Sequence, residues 1–301
     1  MAFSCENRDL ETRAFMARSG VAVREPISRV TMPLFNVDAG RLWATSVMLE
    51  IGEKFFLLTA AHIFDNWLSR PIPINITDGV NGGSIFPIGE ATLRRSPTEN
   101  HSNRLADDHF DICVCDLPDE AAKRVKSGGR FRFLDLSELD PWGEEELRSW
   151  YMVFGFPGEL NEREVAPGVL GSNACAYSTF IYGGERGNIP WTDADRGVGI
   201  LMDYGSHTTQ NDAGQLVRPP EPYGMSGGGM WRVAEYGCDP SGWGLAGLKL
   251  IGIQSAAYTQ QRVLQGTRIE HHLGMIYRGH EDLRPAMELA YGDEECRRRF
   301  L

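Results

Sequence analysis

The sequence predicts an all-β protein built as two strand-rich halves joined by one acidic connector. Three observations carry this. Short apolar runs rich in β-branched and aromatic residues recur along the chain, Gly/Pro/Asn/Asp clusters separate them, and a run of acidic residues divides them near the middle. Such a pattern suits two β-barrels or two sandwiches.

Residues 1 to about 24 are polar with mixed charge and read as an arm or short helix. Leu42 to Ile51 and Phe55 to Thr59, separated by Gly52-Glu53-Lys54, read as a β-hairpin. Ile72 to Ile76, Ile85 to Ile88, Ala91 to Leu93 and Phe110 to Asp116 follow as strands, with a polar loop from Ser96 to Asp108. The first half thus covers 25–140. Leu134 to Trp150 is the connector, with a short helical stretch predicted at Glu144 to Trp150. The second half, 141–280, contains strands at Tyr151 to Pro157, Cys175 to Tyr182, Val198 to Tyr204, Met230 to Val233 and Leu248 to Ser255, and a loop over Gly183 to Gly197. A closing helix is predicted at Glu281 to Tyr291 despite Pro285, leaving 281–301 as helix and tail.

The 301 residues suffice for a large core, and 42% hydrophobic against 24% charged is ordinary for a globular chain. A formal charge of −11 argues against nucleic acid and against anionic lipid as partners. No apolar run is long enough to cross a bilayer as a helix, and the first residues carry no apolar stretch of the signal-peptide kind. Cys5, Cys113, Cys115, Cys175, Cys238 and Cys296 are widely spread and suggest reduced thiols. A cytoplasmic location is therefore expected. Cys113 and Cys115 share one strand face, but no second Cys/His pair stands at ligand spacing, so neither metal nor cofactor is expected.

Three segments carry chemistry. In Gly224-Met225-Ser226-Gly227-Gly228-Gly229, a serine sits among glycines that permit the tight backbone needed to aim N–H groups at a developing oxyanion. In Thr59-Ala60-Ala61-His62, a histidine follows a buried strand directly, where a scaffold holds it rigidly. In Phe110-Asp111-Ile112-Cys113-Val114, an aspartate stands at a strand entrance, where it can be shielded and still orient an imidazole. Asp107, Asp108 and Asp116 compete with Asp111, which is preferred because it directly precedes the alternating apolar run. Alone, each segment also fits a blander role: a glycine-rich turn, a core histidine, a strand-capping aspartate. Together they stand in the order His, Asp, Ser, two in the first half and one in the second.

With LLTAAHIF, FDICVCDL, VFGFPG, GMSGGGMW and LIGIQSA, spread over about residues 40 to 257, the chain resembles the trypsin/chymotrypsin-like serine peptidases, in the style of the bacterial trypsin-like ones. The resemblance implies two antiparallel six-stranded barrels with the site between them. It implies serine endopeptidase activity on protein or peptide substrates. His62, Asp111 and Ser226 would form the triad, and the N–H groups of Gly224 and Ser226 the oxyanion hole. Pro220 and Glu221 would stand at the base of the specificity pocket, and Ser255, Ala256 and Ala257 along the substrate backbone. Several positions depart from the family. Pro220 stands where members that cleave after Arg or Lys carry Asp. Gln254 stands where the Glu-specific branch has His. Ile63 stands where extracellular members carry a cysteine right after the histidine, and Pro222 where they carry another shortly before the serine; the Ile-Val-Gly-Gly zymogen start is missing. Control by a regulatory protein partner or by loop ordering is expected instead. The competing reading is a catalytically silent, protease-like binding module. An esterase of small molecules is a third.

Overall fold

The computed structural model describes residues 22–36, 41–67, 74–79, 83–89, 91–96, 110–143, 149–161, 164–166, 169–170, 172–184, 189, 198–204, 209–210, 216–235 and 247–301. Two antiparallel sheets dominate it. The first holds β1 (Thr31–Asn36), β2 (Arg41–Ile51), β3 (Lys54–Ala60), β4 (Asn75–Thr77), β5 (Ile85–Pro87), β6 (Thr92–Arg95) and β7 (Ile112–Leu117). Their spatial order is β5-β4-β1-β2-β3-β7-β6. In chain order, the second half supplies β8 (Ser149–Gly155), the pair β9 (Glu164–Ala166) and β10 (Val169–Leu170), β11 (Cys175–Thr179), β12 (Gly199–Asp203), the pair β13 (Thr209–Gln210) and β14 (Leu216–Val217), β15 (Gly229–Glu235), β16 (Lys249–Tyr258) and β17 (Val263–Arg268). Six of these form the second sheet, β11-β8-β15-β16-β17-β12, while β9–β10 and β13–β14 are separate two-stranded ribbons.

The first sheet therefore has seven strands, not the expected six. The sequence reading missed β1 because Pro33 breaks an otherwise good strand pattern. The β1–β4 pairing is confined to Phe35 and Asn75, beyond that proline. It also missed β17, whose Gln265-Gly266-Thr267 core looks like a turn.

Strands β2 and β3 read as continuous apolar runs because both of their faces are buried. Ala44, Met48, Leu57 and Ala60 face the interior of the first half with Cys113 and Cys115. Val47, Leu49, Phe56 and Leu58 join a cluster shared with Trp150, Met152, Phe154, Trp231, Leu250 and Ile253 of the second half. The same alternation in β8 sends Tyr151 and Val153 to the interior of the second half. The two sheets thus bury against one another, which fixes the loops at their junction. A two-residue loop closes β2–β3, with Gly52 at φ +61°.

The described part of the connector is anchored at both Leu134 and Asp140. The Leu134 N–H donates to the Met48 carbonyl, and the Asp140 N–H donates to the Leu250 carbonyl. The helix expected at Glu144 to Trp150 is corrected: Ser149 and Trp150 belong to β8, and residues 144–148 lie outside the described residues. Trp150 is wholly buried, and that burial outweighs the local helix pattern.

The chain ends in three helices rather than one helix and a tail. They are Ile269–Gly279, Arg284–Tyr291 and Asp293–Phe300. Pro285 lies in the first turn of the second helix, where its missing N–H has no partner to lose. Ile269, Leu273, Ile276 and Tyr277 recur at helical spacing and enter the shared core, as does Phe300 of the last helix. Val23 and Ile27 of the helical residues 22–28 enter it too.

His272, on the first of these helices, is fully buried, and its Nε2 lies 3.1 Å from the Thr59 carbonyl, to which it donates. Burial lowers its pKa to about 4, against the raising effect of that carbonyl. An unfolded histidine takes its proton near pH 6.5, so the folded state is progressively disfavoured as pH falls from about 6.5 to about 4. His272→Gln is expected to flatten that part of the stability curve, as measured by urea unfolding at pH 7, 5.5 and 4.5.

Candidate active site

Strand register brings the histidine and aspartate together. In the β3–β7 ladder, Ala60 pairs with Ile112. His62 lies two residues after Ala60 and Asp111 one residue before Ile112, so both leave the same end of the ladder. The Ala61 N–H donates to the Asp111 carbonyl at 3.2 Å. Asp111 adopts φ +46°, the left-handed region that aspartate tolerates better than most residues. That turn directs its carboxylate back over His62. Oδ1 accepts the His62 backbone N–H at 2.8 Å, and Oδ2 lies 2.7 Å from His62 Nδ1. One carboxylate thus holds both the main chain and the ring.

The second sheet supplies the serine. Gly224, two residues before Ser226, and Gly227, directly after it, have φ of +87° and +88°, so both positions need glycine. A Cβ at Gly227 would run into the Thr45 carbonyl and the Thr59 hydroxyl. Backbone bonds lock the loop: Met225 N–H to the Pro222 carbonyl at 3.0 Å, Gly228 N–H to Met225 at 2.7 Å and Gly227 N–H to Gln254 at 2.8 Å. Met225 is buried among Tyr151, Val153, Tyr177 and Tyr204. Ser226 Oγ lies 3.1 Å from His62 Nε2, which closes an Asp111–His62–Ser226 line of hydrogen bonds. Gly227→Ala should lower stability by about 2 kcal/mol or more, from left-handed strain plus the clash, in urea unfolding.

This line can transfer a proton. An imidazole held at Nδ1 by a carboxylate presents Nε2 as a base to the hydroxyl it touches. Asp111 is mostly shielded, its side chain 13% exposed, against 36% for His62. The ring therefore faces the opening while the group that orients it stays sheltered. Asp107 and Asp108 lie outside the described residues, and Asp116 is engaged elsewhere, with Arg94.

The remaining expected positions are distributed around the loop. The Gln254 N–H donates to the Gly228 carbonyl, which sets Ser255 of β16 beside the Ser226 loop. Ser255 is buried, Ala256 and Ala257 are half-buried, and a bulge lies between Gln254 and Ala256. The Pro220 carbonyl accepts from the Tyr204 hydroxyl. Tyr204 also packs on Tyr177, with ring centroids 4.6 Å apart. Glu221 is exposed and paired with Arg218 at 2.6 Å, and its N–H donates to Glu159. Tyr204 reaches Pro220 across 16 residues of sequence, a contact that only the tertiary fold makes. Cys113 and Cys115 lie inside the first half, where burial pushes the Cys115 thiol up to about 12 and raises Cys113 as well. Among the described residues, no three His, Cys, Asp or Glu side chains converge as a metal site.

Neuropsin, a serine protease expressed in the limbic system of mouse brain, superposes with a TM-score of 0.51 over 85% of this chain and 96% of its own, at 15% identity. The fold is chymotrypsin-like. At that identity the chymotrypsin-like match describes architecture alone. No protein-family model matches the sequence, and no curated protein matches it. Among the described residues, no helix is long and apolar enough to cross a membrane.

Proposed function

We propose that the chain is a serine endopeptidase. The reading is carried by one observation, the hydrogen-bonded line from Asp111 Oδ2 through His62 Nδ1 and Nε2 to Ser226 Oγ. In this reading, Ser226 Oγ attacks the carbonyl carbon of a peptide bond as His62 Nε2 takes its proton. The carbonyl oxygen gains the negative charge, and the N–H groups of Gly224 and Ser226 receive it. His62 then gives the proton to the leaving amine, and an acyl group remains on Ser226. Water, deprotonated by His62, releases it. Asp111 keeps the Nδ1–H tautomer and stabilises the imidazolium. A peptide substrate would run beside Ser255, Ala256 and Ala257 as an added strand.

The finer assignment is to the bacterial trypsin-like type, acting in the cytoplasm as a selective or partner-regulated processing enzyme. It rests on the short sequence resemblances and the spread of the cysteines. Pro220 at the pocket base, with Glu221 tied to Arg218, favours a cleavage preference other than the trypsin-like one for Arg or Lys. A fluorophosphonate probe tests the reading. Labelling of the wild-type protein at Ser226, with cleavage of a peptide library, is the expected result. An unlabelled wild-type protein would replace the peptidase reading with that of a silent binding module.

A further inference from the structure

We propose that Thr45, on β2 of the first sheet, is a positioning residue for the oxyanion-binding amides of Gly224 and Ser226; the inference rests on the hydrolase reading of that site. Thr45 is fully buried, and all its polar atoms are used. Its N–H donates to the Ser226 carbonyl at 2.9 Å. Its Oγ1 donates to the Gly224 carbonyl at 3.1 Å and accepts the Phe156 N–H at 3.0 Å. Its carbonyl accepts the Thr59 hydroxyl at 2.8 Å.

The β2–β3 ladder explains why these groups are free for the task. Its last pair is Val47 with Leu58, two residues short of Thr45. The Thr45 N–H is turned over to the nucleophile loop.

Three successive peptide planes run from Gly224 to Gly227, the middle one carrying the Ser226 N–H, and each is held by its carbonyl. The Gly224 carbonyl is held by Thr45 Oγ1, the Met225 carbonyl by the Gly228 N–H, and the Ser226 carbonyl by the Thr45 N–H. A peptide plane whose carbonyl is fixed has its own N–H fixed in the opposite direction. These planes carry the N–H groups of Met225, Ser226 and Gly227, so Thr45 holds the two planes on either side of the one that aims the Ser226 N–H. Its hold on the Gly224 carbonyl also sets the Cα–C torsion of Gly224, whose own N–H lies in the plane of the Tyr223 carbonyl, held by the Gly158 N–H at 2.6 Å. Thr45 does so from the other sheet. Through Thr59 it is also bonded to the strand that delivers His62, so base and nucleophile are registered against one residue. Thr45 touches no reacting atom. Its effect is on geometry, to which acyl transfer is steeply sensitive.

The test compares Thr45→Val, Thr45→Ser and Thr31→Val. Thr31 is the matched control: it is equally buried, and its Oγ1 donates to the Ile27 carbonyl at 2.9 Å. The readouts are urea unfolding, the rate constant for fluorophosphonate labelling, and kcat and KM on an activated ester. Thr45→Val is expected to label about 30-fold more slowly or worse, with kcat reduced in step and KM within about threefold. Thr45→Ser, which keeps the hydroxyl, stays within about threefold of wild type. Thr31→Val loses stability and labels at the wild-type rate. Equal labelling of Thr45→Val and Thr31→Val overturns the proposal. If Thr45→Val does not fold, Thr45→Cys against Thr45→Ser carries the test, the thiol being the weaker donor, and equal rates overturn it. If the wild-type protein is not labelled at all, the hydrolase reading fails first. Amide hydrogen exchange at Ser226, Gly227 and Gly228 then decides the role of Thr45: exchange no faster in Thr45→Val than in Thr31→Val overturns it.

Discussion

Replacing Ser226 with alanine is expected to lower kcat by about a millionfold and to abolish fluorophosphonate labelling, with little change in folding stability. Ser226 is half-exposed, and the bonds that shape its loop use its carbonyl and its neighbours' amides. Loss of Oγ removes the nucleophile and leaves the loop. His62→Ala should cost about as much, and the double variant little more, because base and nucleophile act as one unit across the 3.1 Å contact. Single-turnover kinetics on a labelled peptide measure all three variants. Substantial turnover by Ser226→Ala would remove the serine from the mechanism.

Asp111→Asn is expected to slow kcat by about ten-thousandfold while the protein still folds. Asparagine tolerates φ +46° as aspartate does, so the turn into β7 survives. An amide can still accept the His62 backbone N–H through its oxygen. Its NH2 would then face Nδ1, now 2.7 Å from Oδ2, and would force the proton onto Nε2. A ring with its proton on Nε2 cannot accept one from Ser226. The imidazole N–H resonance in the NMR spectrum should report that tautomer directly. A fully active Asp111→Asn would place the orienting carboxylate elsewhere, among Asp107 and Asp108.

His62 and Ser226 were legible because their constraints are local. A loop that needs φ near +87° two residues before the serine and one residue after it must have glycine at both, and a histidine placed by a buried strand must directly follow one. Asp111 was legible only by its position before β7. The β3–β7 register gives that position its meaning, and register is a pairing between segments that sequence pattern leaves open. The first of the three terminal helices, Ile269–Gly279, was missed although its apolar residues recur at helical spacing, because it follows β17 without a glycine or proline to mark the change. Its burial of His272 against Thr59 depends wholly on how the helix packs.

The sequence by itself determined an all-β architecture in two halves and the residue types able to carry acyl transfer, because both follow from short-range pattern and backbone preference. Tertiary structure decided the rest. It added a seventh strand, committed Glu221 to Arg218, and carried Thr45 across 179 residues to Gly224. Those outcomes turn on which buried polar groups find partners once two sheets close on a common core. A buried donor must be satisfied by whatever the fold brings within reach, however far away it lies in the chain.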